Sequence, residues 1–278
     1  MKPFKRLGSL IRKVDSASIL CHQNADPDAV CAAYALYSLL RRIKKKLRIE
    51  ISAPSISRIS KRVLRCFPER RFVTEPHLEE CDLIFAVDTN TIQQLGEWKN
   101  LVSLRSNLIV IDHHALHPRT FETALMLICD ETATSTCEII YEIYRSFRVK
   151  PARLDAVAMI LGIYYDTRRL MLAKSKTFQV LSELTAYGFD MEEAVSILQV
   201  PVQESERIAR LKAAQRTRIR RVGKWVVAAT VVGSYQASVA RALIMLGAHV
   251  AVVGGEKEGR LRISLRSTSD FYRKTRIH

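Results

Sequence analysis

The stretch ASILCHQNADPDAVCAAYAL, residues 17–36, decides the fold. Its first five residues are a short apolar run of the kind found in buried strands, and residues 29–46 read as a helix. The turn between them carries one imidazole, His22, and two carboxylates, Asp26 and Asp28. Strand, polar turn and helix make the repeating step of an α/β protein. In such sheets ligands bind beyond the carboxyl ends of the strands.

Outward from this turn the step recurs. RIEISA (48–53) reads as a strand and 56–66 as a helix. DLIFAVDT (82–89) is a strand ending in Asp88, and NLIVIDHH (107–114) is a strand ending in Asp112, His113 and His114. Residues 134–147 and 152–165 read as two helices, with Pro151 at the start of the second. Asp166 follows the helix-like LGIYY (161–165). The alternation predicts a mostly parallel sheet with helices on its faces.

Residues 175–222 turn helical and increasingly polar. Within them RIARLKAAQRTRIRRVGK (207–224), with eight Lys/Arg and no acid, reads as a connecting helix. WVVAATVV (225–232), 235–247, HVAVVGG (249–255) and RLRISLRS (260–267) then read as strand, helix, strand and strand. The expected organisation is a first α/β domain over 1–190, a helical linker over 191–222 and a smaller α/β domain over 223–278.

Composition narrows the class. The chain has 278 residues, of which 48% are apolar, which suits a globular protein with a real core and argues against disorder. No apolar stretch reaches the roughly 18–20 residues of a membrane span. The start, MKPFKRLGSLIRKVDSASIL, lacks the apolar region and cleavage site of a signal peptide. It places Leu7, Leu10, Ile11 and Val14 at helical spacing, so a first amphipathic helix is expected, with a membrane-surface helix as the lesser reading. The six cysteines form no CxxC pair and read as reduced, mostly buried thiols of a cytoplasmic protein. A formal net charge of +16 points to a polyanionic partner, nucleic acid above all. The run RRIKKKLR (41–48), six Lys/Arg in eight positions, is either a solvated helix end or an extension of that basic track.

The acids and histidines at the element ends carry the chemistry. A parallel sheet brings strand ends along one edge, so these residues converge although far apart in sequence. Crowded, buried carboxylates repel and are costly unless paired, and a divalent cation resolves that conflict. A mixed carboxylate and imidazole set suits manganese, suits zinc or iron less well, and fits magnesium poorly. The number of candidates exceeds the need of one ion and suits two ions sharing a carboxylate.

HQNADPDA, AVDTN, IDHH and YYDT follow in the order and at roughly the spacing of the four motifs of the DHH phosphoesterases, and the chain resembles their DHH/DHHA1 branch of nanoRNases, oligoribonucleases/pAp-phosphatases and RecJ-like exonucleases over about residues 15–270. TATSTCEIIYEI (132–143) is similar to the helix that follows the third motif. The resemblance implies His22, Asp26 and Asp88 on one metal, and Asp28, Asp88, His113 and Asp166 on the other, with Asp88 bridging. It places His114 at the substrate phosphate and Asp112 behind the histidine ligands, orienting them. In the second domain, RISLRS (262–267) is similar to the R-x-S-x-R strand of DHHA1, which implies phosphate or nucleotide contact by Arg262, Ser264 and Arg266. Two departures stand out. The family's glycine-rich GGGH segment is missing from the end, FYRKTRIH, and the fourth motif, usually aspartate–threonine–glycine, here continues DTRRL.

The resulting expectation is a cytoplasmic, two-metal, manganese-dependent phosphoesterase acting on phosphodiester bonds of short oligonucleotides or nucleotide-like substrates held between two domains. A single-strand exonuclease, a phosphatase for pAp or pyrophosphate, and a non-catalytic nucleic-acid scaffold are the rivals. Partners are short oligonucleotides or single strands and no membrane; a homodimer is compatible.

Overall fold

In the computed structural model, which describes residues 2–67, 72–115, 124–188, 190–199, 202–257 and 259–277, the chain divides into two units, Met1–Val200 and Pro201–His278. The first unit runs α1 (Lys2–Lys13), β1 (Ser16–Cys21), α2 (Pro27–Ile43), β2 (Arg48–Ser52), α3 (Arg58–Val63), β3 (Phe72–Val73), β4 (Leu83–Val87), α4 (Lys99–Ser103), β5 (Leu108–Asp112), β6 (Met126–Cys129), α5 (Thr136–Ser146), α6 (Arg153–Asp166), α7 (Ser175–Thr185) and α8 (Met191–Leu198).

The six strands form one parallel sheet in the order β3-β2-β1-β4-β5-β6. Alternate residues feed two cores. Ile19, Cys21, Phe85, Val87, Ile109 and Ile111 face the larger core, built with helices α1, α2, α5 and α6. Leu20, Ile84, Ala86, Leu108 and Val110 face a smaller one with Leu95, Trp98 and Val102. Covering both faces is why β4 and β5 read as unbroken apolar runs, buried at every position. The strand order changes direction at β1, so the crevice between the carboxyl ends of β1 and β4 is the topological switch point of the sheet.

Local sequence explains the entry to α2. Asp26 is its N-cap and accepts from the Ala29 amide at 3.1 Å, and Pro27 at the first helical position already has a helical φ. The cap is therefore Asp26, and Asp28 sits inside the first turn. The helix ends at Ile43, earlier than expected, where Lys44 turns extended. The basic run is partly engaged, since Arg42 pairs with Asp155 at 2.9 Å and Lys44 with Asp15 at 2.8 Å.

In α1, Leu7 and Ile11 are fully buried in the main core, so the apolar stripe is spent on packing and is not free for a membrane surface. No described helix is long and apolar enough to cross a membrane. Pro151 lies before the α6 cap, Ala152, and outside the helix. All six cysteines are free thiols; Cys21, Cys31, Cys81 and Cys137 are buried, Cys66 is half-buried and Cys129 exposed.

The second unit runs α9 (Glu204–Arg216), β7 (Arg218–Val222), β8 (Trp225–Val231), α10 (Gln236–Met245), β9 (Val250–Lys257), β10 (Arg260–Ser267) and α11 (Ser269–Thr275). Its sheet has the order β10-β9-β8-β7, parallel between β8 and β9 and antiparallel elsewhere. Ala213, Ala228, Val239, Leu243, Ala251 and Val253 form its core.

Here the sequence reading needs correction. Residues 207–224 are not one connecting helix. The helix stops at Arg216, and β7 joins β8 through a two-residue turn in which Gly223 takes φ +57°. Nor is 191–222 a separate linker. α8 belongs to the first unit, where the Arg62 guanidinium donates to the Ser196 carbonyl at 3.2 Å, and α9 belongs to the second. The short strands β3 and β6 and the last helix α11 had no reading from sequence.

Candidate metal centre

Three strand ends and one helix end supply the site. The turn after β1 carries His22, Asp26 and Asp28; Asp88 follows β4; Asp112 ends β5, followed by His113 and His114; Asp166 ends α6. Their ligand atoms fall into three overlapping sets, each within 4.8 Å: His22, Asp26 and Asp88; Asp28, His113 and Asp166; and Asp88, Asp112, His113 and His114.

Asp88 is shared by two of these sets, and His113 links the third to them. Asp88 Oδ2 lies 3.8 Å from His22 Nε2, while its Oδ1 lies 3.7 Å from His113 Nε2. The residue sits in the left-handed region at φ +56°, an uncommon conformation for a side chain other than glycine. Its amide donates to the Ile111 carbonyl at 2.9 Å, continuing the sheet ladder, and Thr136 Oγ1 donates to its Oδ1 at 2.9 Å.

Asp28 is fully buried. The Thr136 amide donates to its Oδ2 at 2.6 Å and the Cys137 amide to its Oδ1 at 3.2 Å. These are the first amides of α5, which otherwise have no partner within the helix, so a carboxylate there is stabilised by both hydrogen bonding and the helix dipole. Close approach of α6 completes the wall. A Cβ on Gly162 would lie 2.6 Å from Asp28 Oδ1 and 2.3 Å from Cys137 Sγ, so only glycine fits.

The histidines are aimed by their second nitrogens or by neighbours. His22 Nδ1 donates to the Gln23 carbonyl at 2.9 Å, which leaves Nε2 as a lone-pair donor toward Asp26 and Asp88. His113 Nε2 is buried and in no hydrogen bond of acceptable geometry, although Asp166 Oδ2 is only 3.1 Å away. Asp112 Oδ1 accepts from the His114 amide at 2.8 Å and from His114 Nδ1 at 2.9 Å. Asp112 thus orients His114, and the expectation that it orients the ligand histidines as a group is corrected: no hydrogen bond from His113 to it occurs among the described residues. The His113 and His114 rings lie 4.0 Å apart between centroids.

Burial, followed by the charges of Asp26 and Asp112, pushes Asp88 up to about 7. Burial and then Asp88, Asp166 and Asp26 hold Asp28 well above the ordinary carboxylate range. Burial also acts on Asp26, but the His22 side chain and the Ala29 amide outweigh it and lower that carboxyl. Burial disfavours charge on His22 and His113; nearby carboxylates, Asp26 for the first and Asp166 with Asp88 for the second, outweigh it and raise both. The hydrogen bond to Asp112 is the main reason that His114 is pushed up to about 9.

Among the described residues no Lys or Arg pairs with Asp26, Asp28, Asp88, Asp112 or Asp166, so the acids meet only histidines and hydrogen-bond donors. Asp112 Oδ2 and His113 Nε2 are both buried without a hydrogen-bond partner. A largely buried carboxylate and imidazole set with no Lys or Arg counter-charge and with orphaned ligand atoms fits a divalent cation. His22, Asp26, Asp28, Asp88, His113 and Asp166 are brought together in this way. Arg262, Ser264 and Arg266 alternate along the edge strand β10 in the second unit, opposite Gly255, Val253 and Ala251. Thr136 and Gly162 were missed from sequence as shapers of the site. The signature Ser135-x-x-Glu138 before an apolar run, an N-cap pattern, was the available signal for the start of α5.

Comparison with known proteins bears on the family and the fold. Protein MJ0988 of Methanocaldococcus jannaschii is 36% identical over 263 residues, covering 91% of this chain and 77% of that protein. The cyclic-di-AMP phosphodiesterase GdpP of Geobacillus thermodenitrificans is 28% identical over 220 residues, 74% of this chain but 33% of its own length, so the chain spans about a third of that relative. An exopolyphosphatase-related protein from Bacteroides fragilis shares the fold, with a TM-score of 0.73 at 16% identity over 97% of this chain and 84% of that one. The DHH family, N-terminal domain, matches residues 16–163, more than half of the sequence. With its strand-end acids and histidines gathered at the switch point, the chain belongs to the DHH family, whose phosphoesterase hydrolases depend on divalent metal ions.

Proposed function

We propose that the protein is a manganese-dependent phosphodiesterase that uses two metal ions to hydrolyse short oligonucleotides or nucleotide-like phosphodiesters. The division of Asp88 carries the reading: one oxygen faces His22, the other His113, at 3.8 and 3.7 Å. His22, Asp26 and Asp88 would hold one ion, and Asp28, Asp88, His113 and Asp166 the second. Such a pair lowers the pKa of water and neutralises charge on phosphate oxygens.

The protein's own groups set the positions. Thr136 Oγ1 and the α5 amides hold Asp88 and Asp28, so neither carboxylate reorganises when charge develops. His114 is half exposed and tied to Asp112 through Nδ1, which leaves the rest of its ring free to meet a substrate phosphate. Arg262, Ser264 and Arg266 on β10 take the role of phosphate or nucleotide-end contacts. The net charge of +16 and the kinship with a cyclic dinucleotide phosphodiesterase support a small nucleic-acid substrate.

The test is hydrolysis, with Mn²⁺ supplied after chelator treatment, of labelled oligonucleotides from two to about twenty-four residues and of a cyclic dinucleotide. Turnover highest on the shortest substrates is the expected result. Cleavage confined to long single strands assigns exonuclease action instead, and binding of those strands without any hydrolysis assigns a scaffold.

A further inference from the structure

We propose a second anionic ligand site, for a nucleoside phosphate, in the cavity between α1 and the end of α5. The cavity has a volume of about 720 Å³, and Phe4, Lys5, Arg12, Phe147 and Arg148 line it. Lys5, Arg12 and Arg148 are exposed, and none of them pairs with a described acid. Among the described residues no acidic one lines the cavity. The two phenylalanine rings are half-buried. Three cations beside two half-buried aromatic rings, which also pack against the main core, match a phosphate joined to a flat base: the cations take the phosphate oxygens and the parts of the rings left uncovered give the base an apolar wall.

The walls are built for close approach. Gly8 is buried, and a Cβ there would meet the Phe147 ring at 2.6 Å, so the α1 backbone lies directly against that ring. Arg12 reaches back one turn over Gly8, its guanidinium 3.6 Å from that same point. Arg148 adopts φ +54°, and its amide donates to the Arg145 carbonyl at 3.0 Å. The Ile143 and Tyr144 carbonyls also have donors, in Phe147 and Val149, so the end of α5 presents few free carbonyls to oppose an anion.

The cavity is distinct from the metal centre. The opening amides of α5 hold Asp28, whereas the cavity lies at the other end of this 11-residue helix, roughly 16 Å away at 1.5 Å per residue. The same chemistry is present in a free mononucleotide and in one unit of a strand, and two arms separate these sources.

Binding is measured by calorimetry with chelator-treated protein, so that no metal contributes, using AMP in one arm and a six-residue oligoadenylate in the other. In the Lys5→Ala/Arg12→Ala/Arg148→Ala variant, affinity should fall by at least about tenfold, the worth of one charge-assisted hydrogen bond. Loss in both arms assigns a free mononucleotide site, and loss only with the oligonucleotide assigns a strand contact. The substituted side chains are exposed, so the variant should melt like the parent and hydrolyse bis-p-nitrophenyl phosphate with Mn²⁺ at the parent rate. A parent protein without that hydrolysis sinks the proposed function and leaves the binding result standing. Unchanged affinity in both arms overturns the second site. So does charge-dependent binding to phosphatidylserine vesicles with no nucleotide binding, which would make this a lipid-facing surface.

Discussion

The Thr136 amide donates to Asp28 Oδ2 at 2.6 Å, joining the first turn of α2 to the first turn of α5 across 108 residues of sequence. A fully buried carboxylate held in this way has no room to retreat, because α6 closes on it at Gly162. Gly162→Ala should therefore destabilise the protein by about 1–3 kcal/mol, the usual cost of overpacking a tight core. It should also weaken metal binding, since the added methyl presses on Asp28 Oδ1. Thermal melts followed by circular dichroism, with manganese titrations, check both. Unchanged values would mean that α6 recedes freely.

Asp88→Asn keeps the size of the side chain and an acceptor for Thr136 but removes the charge shared by two ligand sets. Bound metal measured by elemental analysis should drop below two equivalents, and turnover should fall by at least about a hundredfold, on the scale of losing an electrostatic catalytic group. Near-parental turnover would exclude a bridging carboxylate.

His113→Ala and His114→Ala should part company. His113 Nε2 is buried among Asp88 and Asp166, so its loss should lower metal affinity. His114 is half exposed and bonded to Asp112, so its loss should spare metal binding and raise KM or lower kcat. Equal loss of metal in both variants would refute the division.

Arg168, Arg169 and Leu170 take φ of +50°, +60° and +68° in succession, immediately after Asp166 and Thr167. The left-handed region costs a residue with a Cβ about 1–2 kcal/mol, which explains why a glycine suits the first of these positions in the family's aspartate–threonine–glycine motif. Arg168→Gly should raise stability by about 0.5–1 kcal/mol once the extra freedom of unfolded glycine is deducted. A lower melting temperature would show that the Arg168 side chain makes a stabilising contact stronger than this strain.

Strands β4 and β5 were legible in sequence because burial on both faces leaves an unbroken apolar run, and α5 because its cap, Ser135, and its periodicity agree; α6 is buried at every position from Asp155 to Ile163, so its length after Pro151 was the signal rather than a cap or an apolar face. β6 was not: it is four residues long at the sheet edge, with Met126 and Ile128 buried and Leu127 and Cys129 exposed. The 207–224 segment misled because its basic residues suit a solvated helix. β7 itself, Arg218–Val222, is exposed throughout and has no apolar alternation; the quieter signal was Gly223 just before the apolar run of β8, which marks a hairpin turn. At the metal centre each acid and histidine announced itself at an element end. The part played by Thr136 and Gly162 depends on how α5 and α6 approach α2, and no spacing along the chain reports such an approach.

The turn after β1 supplies the first three candidate ligands and the end of α6 the last, so the set is incomplete until Asp166 has been synthesised and α6 has docked. Chelation is then a late event in biosynthesis. Until it occurs, the nascent protein lacks the stabilisation of RT ln(1 + [L]/Kd) that a bound ligand adds to the native state. Cells short of divalent metal should consequently hold less of this protein, through turnover by quality-control proteases, as well as a less active form of what survives.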